Sequence, residues 1–158
     1  MKFNTNLRNI LLVLFAALAL SACSTAKKSG NLVGDVYTGK ETVKYLADGV
    51  PDRVFFATNK SSLTTMSRDT LRKQATFLRK NKKLNVTIEG HADERGTREF
   101  NLALGERRAN AAKDYLMTYG ISGKRISVIS YGKEKPVNPA SSPLAWSQNR
   151  RSVTVKVN

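Results

Sequence analysis

Residues 89–109 read Glu-Gly-His-Ala-Asp-Glu-Arg-Gly-Thr-Arg-Glu-Phe-Asn-Leu-Ala-Leu-Gly-Glu-Arg-Arg-Ala, the stretch of this chain most informative about chemistry. A loop presents His91, Asp93 and Glu94, and Gly96 permits a tight return. A helix then begins, with Thr97 suited to cap it. On that helix Thr97, Asn101, Leu104 and Arg108 follow at i, i+4, i+7 and i+11, which is one face. A second stripe, Leu102, Gly105, Ala109, Ala112 and Leu116, is mostly small or apolar and should pack on a sheet. Gly105 and Ala109 would let the helix approach that sheet closely. The mixed polar stripe should border a groove beside the loop carrying Asp93. An acid from a loop and a base from a neighbouring helix can hold a zwitterion. Asp93 would take an ammonium and Arg108 a carboxylate, the latter with two parallel hydrogen bonds. Each charged hydrogen bond contributes about 1.5–3 kcal/mol. The same spacing also allows Asp93 and Arg108 to pair with each other as a structural salt bridge.

Other chemistries fit poorly. The chain has one His and one Cys. One imidazole beside two adjacent carboxylates on a short loop is a weak metal set. No spacing supports a Ser/His/Asp arrangement, so neither enzyme chemistry nor a cofactor is expected. The 27 Lys and Arg against 12 Asp and Glu give a formal charge of +15, which invites an anionic partner. Much of the excess lies on one helix and the turn after it, as Arg68, Arg72, Lys73, Arg79, Lys80, Lys82 and Lys83. No aromatic platform accompanies it, so it reads as a solvated basic face with a general attraction to anionic wall or lipid, not as a nucleic-acid site.

The elements that must position these residues follow from the pattern. Lys2 and Arg8 precede an apolar run, Ile10 to Leu20, that is shorter than the roughly 20 residues a spanning helix needs. It fits a secretory leader over residues 1–22. Leu20-Ser21-Ala22-Cys23 resembles the bacterial lipobox. That resemblance implies cleavage before Cys23, acylation of its thiol and new amino terminus, and, with Ser24 next, delivery to the outer membrane. Residues 23–50 read as the lipidated N-terminus and a flexible tether, rich in Ser, Thr, Gly and Lys. Residues 51–158 alternate strand and helix patterns. Val54 to Phe56 is a short strand. Met66 to Lys80 is a helix with Ser67 as its cap and a core stripe of Leu71, Ala75 and Leu78. Leu84 to Glu89 is a half-buried strand, residues 98–119 a second helix, and Arg125 to Tyr131 a third strand. A short helix falls near Leu144–Gln148. Arg151 to Val157 is the last strand, with Val153, Val155 and Val157 inward and Arg151 on the same face, placed to close the end of the groove. The fold class is therefore α/β, a two-layer sandwich in the order β-α-β-α-β-β with two helices on a mixed sheet. Met66 fits helix-entry packing. Trp146 fits either a loop anchor or a partner contact.

The residues also carry a resemblance. Gly90-His91-Ala92-Asp93-Glu94-Arg95-Gly96-Thr97, then Asn101 and Gly105-Glu106-Arg107-Arg108-Ala109, is similar to the OmpA-like peptidoglycan-binding domain. Arg125-Ile126, Ser130-Tyr131-Gly132, Lys133-Glu134-Lys135-Pro136 and Asn149-Arg150-Arg151 follow in the family's order. With the lipobox, the chain most resembles the lipid-anchored branch of that family. The resemblance implies non-covalent binding of the diaminopimelate stem peptide of peptidoglycan, with Asp93 and Arg108 in the key acid and base positions. Thr97, Asn101 and Leu104 would line the groove, and the loop from Phe56 to Asn59 would form its other wall. Related sequences often carry an Asp at the position of Ala57 or Asn59; this one has neither. The resemblance further implies an outer-membrane anchor, with the domain facing the periplasm. It also implies TolB and other Tol proteins as partners in envelope integrity and cell division. A wall-binding lipoprotein of the same family outside the Tol system would carry the same residues.

Overall fold

Val86 and Ile88 alternate with Thr87 and Glu89, so this segment can bury one edge of its pleat against helices while the other faces away. The computed structural model describes residues 31–157 and places that segment at the heart of a four-stranded sheet. The leader over residues 1–22 and Cys23 lie outside the described residues. In chain order the strands are β1 (Leu32–Val33), β2 (Val36–Tyr37), β3 (Tyr45–Ala47), β4 (Val50–Pro51), β5 (Arg53–Phe55), β6 (Asn85–His91), β7 (Ile126–Gly132) and β8 (Arg151–Val157). The helices are α1 (Thr65–Lys80), α2 (Arg98–Thr118) and α3 (Pro143–Asn149), with one 3₁₀ turn at Gly123–Arg125. The main sheet has the order β5-β8-β6-β7, with β6 and β7 parallel and the other pairs antiparallel. It is a mixed sheet with α1 and α2 on one face, the α/β class that the pattern implies. The core between the layers holds Val54, Phe56, Leu71, Ala75, Leu78, Val86, Ile88, Ala109, Ala112, Leu116, Ile121 and Ile126.

Two glycines set how closely α2 approaches. A Cβ on Gly90 of β6 would lie 1.8 Å from the Gly105 carbonyl oxygen, and one on Gly105 would lie 2.3 Å from Ser130 Oγ. Backbone therefore packs against backbone here, which draws the Arg108 side of α2 down to the ends of β5 and β6.

Three expectations are corrected. The cap of α1 is Thr64, whose hydroxyl accepts from the Ser67 N–H at 3.1 Å; Ser67 itself is buried and donates to the Phe55 carbonyl at 3.0 Å. In β8, Ser152 pairs with Val54 and Thr154 with Ile88, so these polar residues face the helices and the valines face away. Val155 and Val157 are accordingly 39% and 47% exposed. The inversion is stable because the Thr154 hydroxyl donates to Oε1 of fully buried Gln74 at 2.8 Å, satisfying both polar groups inside the core. Finally, residues 31–51 do not form a featureless tether. They make two antiparallel hairpins, β1–β2 and β3–β4. Tyr37 and Leu46 anchor them by burying their side chains, Tyr37 edge-on to Phe55 with ring centres 4.8 Å apart. Sparse large apolar residues hid this, because each hairpin needs only one to dock.

Candidate functional site

The expected site residues converge where the carboxyl ends of β5 and β6 meet the start of α2. The helix begins there because the Thr97 hydroxyl accepts from the Phe100 N–H at 3.2 Å. Asn101, buried on the first full turn, donates through Nδ2 to the Arg95 carbonyl at 2.9 Å and so fixes the loop above it. Leu104 is buried one turn further on.

Arg108 is fully buried. Its Nε donates to the Lys60 carbonyl at 2.9 Å, Nη1 to the His91 carbonyl at 2.8 Å and Nη2 to the Ala57 carbonyl at 3.1 Å. The guanidinium lies 5.3 Å from the centre of the Phe56 ring, itself fully buried. Arg108 thus ties the β5–α1 loop to the end of β6. Asn59 makes the loop geometry possible by adopting a positive φ of 55°, a conformation that Asn tolerates better than most residues. A turn from Ala57 to Lys60, closed by a backbone bond of 3.2 Å, then aims both carbonyls at Arg108. Burial, and then repulsion from Arg150, lowers the Arg108 pKa to about 9. It stays charged at neutral pH.

Asp93 does not pair with Arg108. Its Oδ1 accepts from the Arg95 N–H at 3.1 Å and Nε at 3.0 Å, and its Oδ2 from Arg95 Nη2 at 2.7 Å and Arg150 Nη1 at 3.3 Å. Burial alone would push this carboxyl up; the hydrogen bonds and charge of Arg95, with Arg150, outweigh it and hold the pKa below the ordinary value. Arg150 is the cation at the α3–β8 junction that reaches the site. Arg151, the neighbour expected to close it, points to the opposite face of the sheet and donates to the Asn149 and Lys135 carbonyls. Arg150 also donates through Nε to the Phe56 carbonyl at 3.0 Å.

Three residues here, Arg95, Arg150 and Asp35, were not singled out from spacing. Arg95 was quoted only as part of the motif. Its side chain is 42% exposed, forks onto Asp93 and lies 4.3 Å from the centre of the Trp146 ring. Trp146 Nε1 donates to Glu94 Oε1 at 2.8 Å, so this residue acts as a loop anchor. Arg150 was visible only as one of two adjacent arginines. Asp35, on the turn of β1–β2, accepts the Thr58 N–H at 2.6 Å. His91 lies outside the cluster, beneath Tyr131, with burial and then Arg151 and Arg53 pulling its pKa down to about 3. Among the described residues no group of three His, Cys, Asp or Glu could hold a metal ion.

The site is thus an acid gripped by arginines at the mouth of β6 in a two-layer α/β domain. The model of the OmpA family matches residues 55–150, and the chain belongs to that family. Among its relatives is the peptidoglycan-associated lipoprotein of Rhizobium meliloti (strain 1021), 44% identical over 98% of this chain and 91% of that protein. The peptidoglycan-associated lipoprotein of Brucella melitensis biotype 1 is 43% identical over 92% of this chain and 90% of its own. The crystal structure of the peptidoglycan-associated lipoprotein from Burkholderia pseudomallei superposes with a TM-score of 0.65 at 35% identity, covering 67% of this chain and 90% of that one. The C-terminal domain of Helicobacter pylori MotB, at 20% identity and a TM-score of 0.63, shares the fold.

Proposed function

We propose that this chain is a non-enzymatic, lipid-anchored outer-membrane protein that grips the diaminopimelate stem peptide of peptidoglycan and so ties the outer membrane to the wall. Family membership and the shared name of its relatives support peptidoglycan binding by a lipoprotein. The observation that carries the finer reading is the cluster around Asp93. Arg95, Arg108 and Arg150 stand against Asp93 and Asp35, which suits a ligand centre bearing both an ammonium and a carboxylate. Half-exposed Arg95 is the cation that faces such a carboxylate. Arg108 has two N–H groups beyond the three already used. It can add a hydrogen bond to an entering carboxylate, while its first task is to hold the wall formed by Ala57 to Lys60. Phe56, Asn59, Thr97, Asn101 and Leu104 shape the site by the contacts described above rather than by touching the ligand as a set.

Attachment through Cys23 and partnership with TolB and the other Tol proteins, in support of envelope integrity and division, complete the proposal. Among the described residues no helix is long and apolar enough to cross a membrane. The test is binding of the detergent-solubilised full chain to a muramyl tripeptide ending in diaminopimelate, and to the same peptide ending in lysine. The first should bind, the second should bind at least tenfold more weakly, and Asp93→Asn should lose the first. Equal binding of both peptides would remove the zwitterion reading. A Cys23→Ala chain that still fractionated with membranes would remove the anchor.

A further inference from the structure

The face of the sheet turned away from the helices carries a second cluster of charge. Arg53 of β5 and Glu89 of β6 both pair with Val153, one on either side of β8. His91 and Arg151 follow one step beyond Gly90 and Ser152, the last paired residues of their strands, and so stand side by side. These side chains form the floor of a trough of about 650 Å³. Lys44 and Tyr45, at the start of the β3–β4 hairpin, form one wall, and Lys135 and Pro136, in the loop after β7, form the other.

The polar groups of this trough are only partly used. Arg53 forks onto Asp52 through Nε and Nη2, both at 2.7 Å, so that pair is closed. Arg151 is 6% exposed, and its two Nη groups donate to the Asn149 and Lys135 carbonyls. Among the described residues it forms no ion pair, and its Nε has no partner. A buried cation is ordinarily paired. His91 is 2% exposed, and among the described residues neither ring nitrogen has a hydrogen-bond partner. The Glu89 carboxylate lies 3.7 Å from its Nε2, too far to bond. The Lys135 ammonium rests 3.6 Å from the centre of the Tyr131 ring and forms no ion pair among the described residues. Burial, and then the charges of Arg151, Arg53 and Lys135, keep the imidazole neutral, with one donor and one acceptor nitrogen.

Cationic donors and two acceptors, Glu89 and one His91 nitrogen, therefore face the same space. An oxyanion that keeps a proton of its own matches both sets. A phosphate group accepts from guanidinium and ammonium and donates its O–H to a carboxylate. Sulfate has no such proton at neutral pH and meets Glu89 as a like charge. We propose that this trough binds a phosphate group that retains an O–H, inorganic phosphate or a phosphomonoester monoanion, with Arg151 Nε and the Lys135 ammonium donating to its oxygens and Glu89 accepting its O–H. The site lies across the sheet from α2 and does not depend on the stem-peptide reading.

The chain has one His, so the full chain in detergent, labelled with nitrogen-15 in the histidine ring, reports binding through a single residue. Inorganic phosphate, glycerol 3-phosphate and sulfate are titrated at matched ionic strength at about pH 6, where roughly half of a phosphomonoester keeps its proton. Inorganic phosphate should shift the ring signals saturably, and sulfate should bind about tenfold more weakly or less. Glycerol 3-phosphate binding within about threefold of inorganic phosphate would support the proposal and identify a phosphomonoester as the ligand. Binding of inorganic phosphate alone would support it and identify the free ion. Lys135→Ala removes an exposed side chain and should weaken phosphate about three- to tenfold with an unchanged Tm, and Arg151→Gln should weaken it further. Glu89→Gln offers an N–H in place of a charge, and should bring phosphate and sulfate within about twofold of each other. Three results would each overturn the proposal: no saturable shift with phosphate, equal binding of phosphate and sulfate by the parent chain, or a preference for phosphate that survives Glu89→Gln. Parental phosphate affinity in Lys135→Ala would overturn it as well, so the outcome stands even if Arg151→Gln does not fold.

Discussion

Replacing Arg108 by Ala should unfold the site before it removes a ligand contact. The side chain is fully buried and gives one hydrogen bond to each of three carbonyls, on Ala57, Lys60 and His91. Hydrogen bonds from a charged donor contribute about 1.5–3 kcal/mol each, and they are not additive when they share one group. Truncation also strands three carbonyls and leaves a cavity over Phe56. A buried acceptor left unpaired costs about 1–3 kcal/mol, and because the three share one donor group we take about 4 kcal/mol in all. For a domain of this size that corresponds to a fall in Tm of roughly 10–20 °C. Arg108→Lys should recover less than half, because one ammonium on a flexible stem cannot span three carbonyls on two segments. Asp93→Asn keeps the shape and loses only a charge. The assay is a thermal melt alongside tripeptide binding measured well below either midpoint. A parental Tm for Arg108→Ala, with binding gone, would refute the bracing role and restore Arg108 to a purely ligand-facing part.

Acid should weaken the fold through His91 before the carboxylates matter. Unfolded, this imidazole takes a proton near pH 6.5; folded, it refuses one until about pH 3, so stability is complete above 6.5 and falls as pH drops. At about 1.4 kcal/mol per pH unit, roughly 2 kcal/mol is lost by pH 5. Urea unfolding at pH 7 and pH 5 should show this loss in the parent and little of it in His91→Gln. Asp93 and Asp35, both held below their ordinary values, add their own loss only at lower pH. Trp146→Ala removes the ring beneath Arg95, a contact of about 0.5–1 kcal/mol at an exposed site, and should weaken tripeptide binding about two- to fivefold with little change in Tm. Purified protein incubated with sacculi should release no muropeptides above background, measured by chromatography of the supernatant; release would demand a catalytic reading.

The layered fold was legible because its signals are local. Leu71, Ala75 and Leu78 mark the buried face of α1, and Val86 and Ile88 that of β6. The face of β8 was not legible, since its alternation favours the valines. The register of β8 against Val54 and Ile88, and the pairing of Thr154 with Gln74, 80 residues away, tell which set is inside. The site was legible in part for a similar reason. Asp93 and Arg108 stand out as an acid in a loop and a base on a helix stripe. Which group each of them would hold depends on Arg95, Arg150 and the carbonyls of Ala57 and Lys60, and no spacing reports that. The docking of β1–β2 was hidden because one tyrosine and one aspartate carry it.

The large positive charge takes on a different meaning once the arginines are placed. Arg108 donates to the carbonyls of three residues. Arg125 donates to those of Leu78, Asn81 and Leu84, binding the end of α1 to the sheet. Arg150 donates to the carbonyls of Phe56 and Asp35, and Arg151 to those of Asn149 and Lys135. A planar fork with five donors can join two or three segments where a lysine would join one. These side chains serve where loops meet, and β1–β2, the β5–α1 loop, the β6–α2 loop and the α3–β8 junction all meet at Asp93. Part of the formal charge is therefore internal bracing, neutral in purpose toward any partner. The attraction left for an anionic wall or membrane resides in the exposed residues Arg68, Arg72, Lys73, Arg79, Lys80, Lys82 and Lys83. Salt should weaken that attraction readily while leaving the short, partly buried contacts around Asp93 in place.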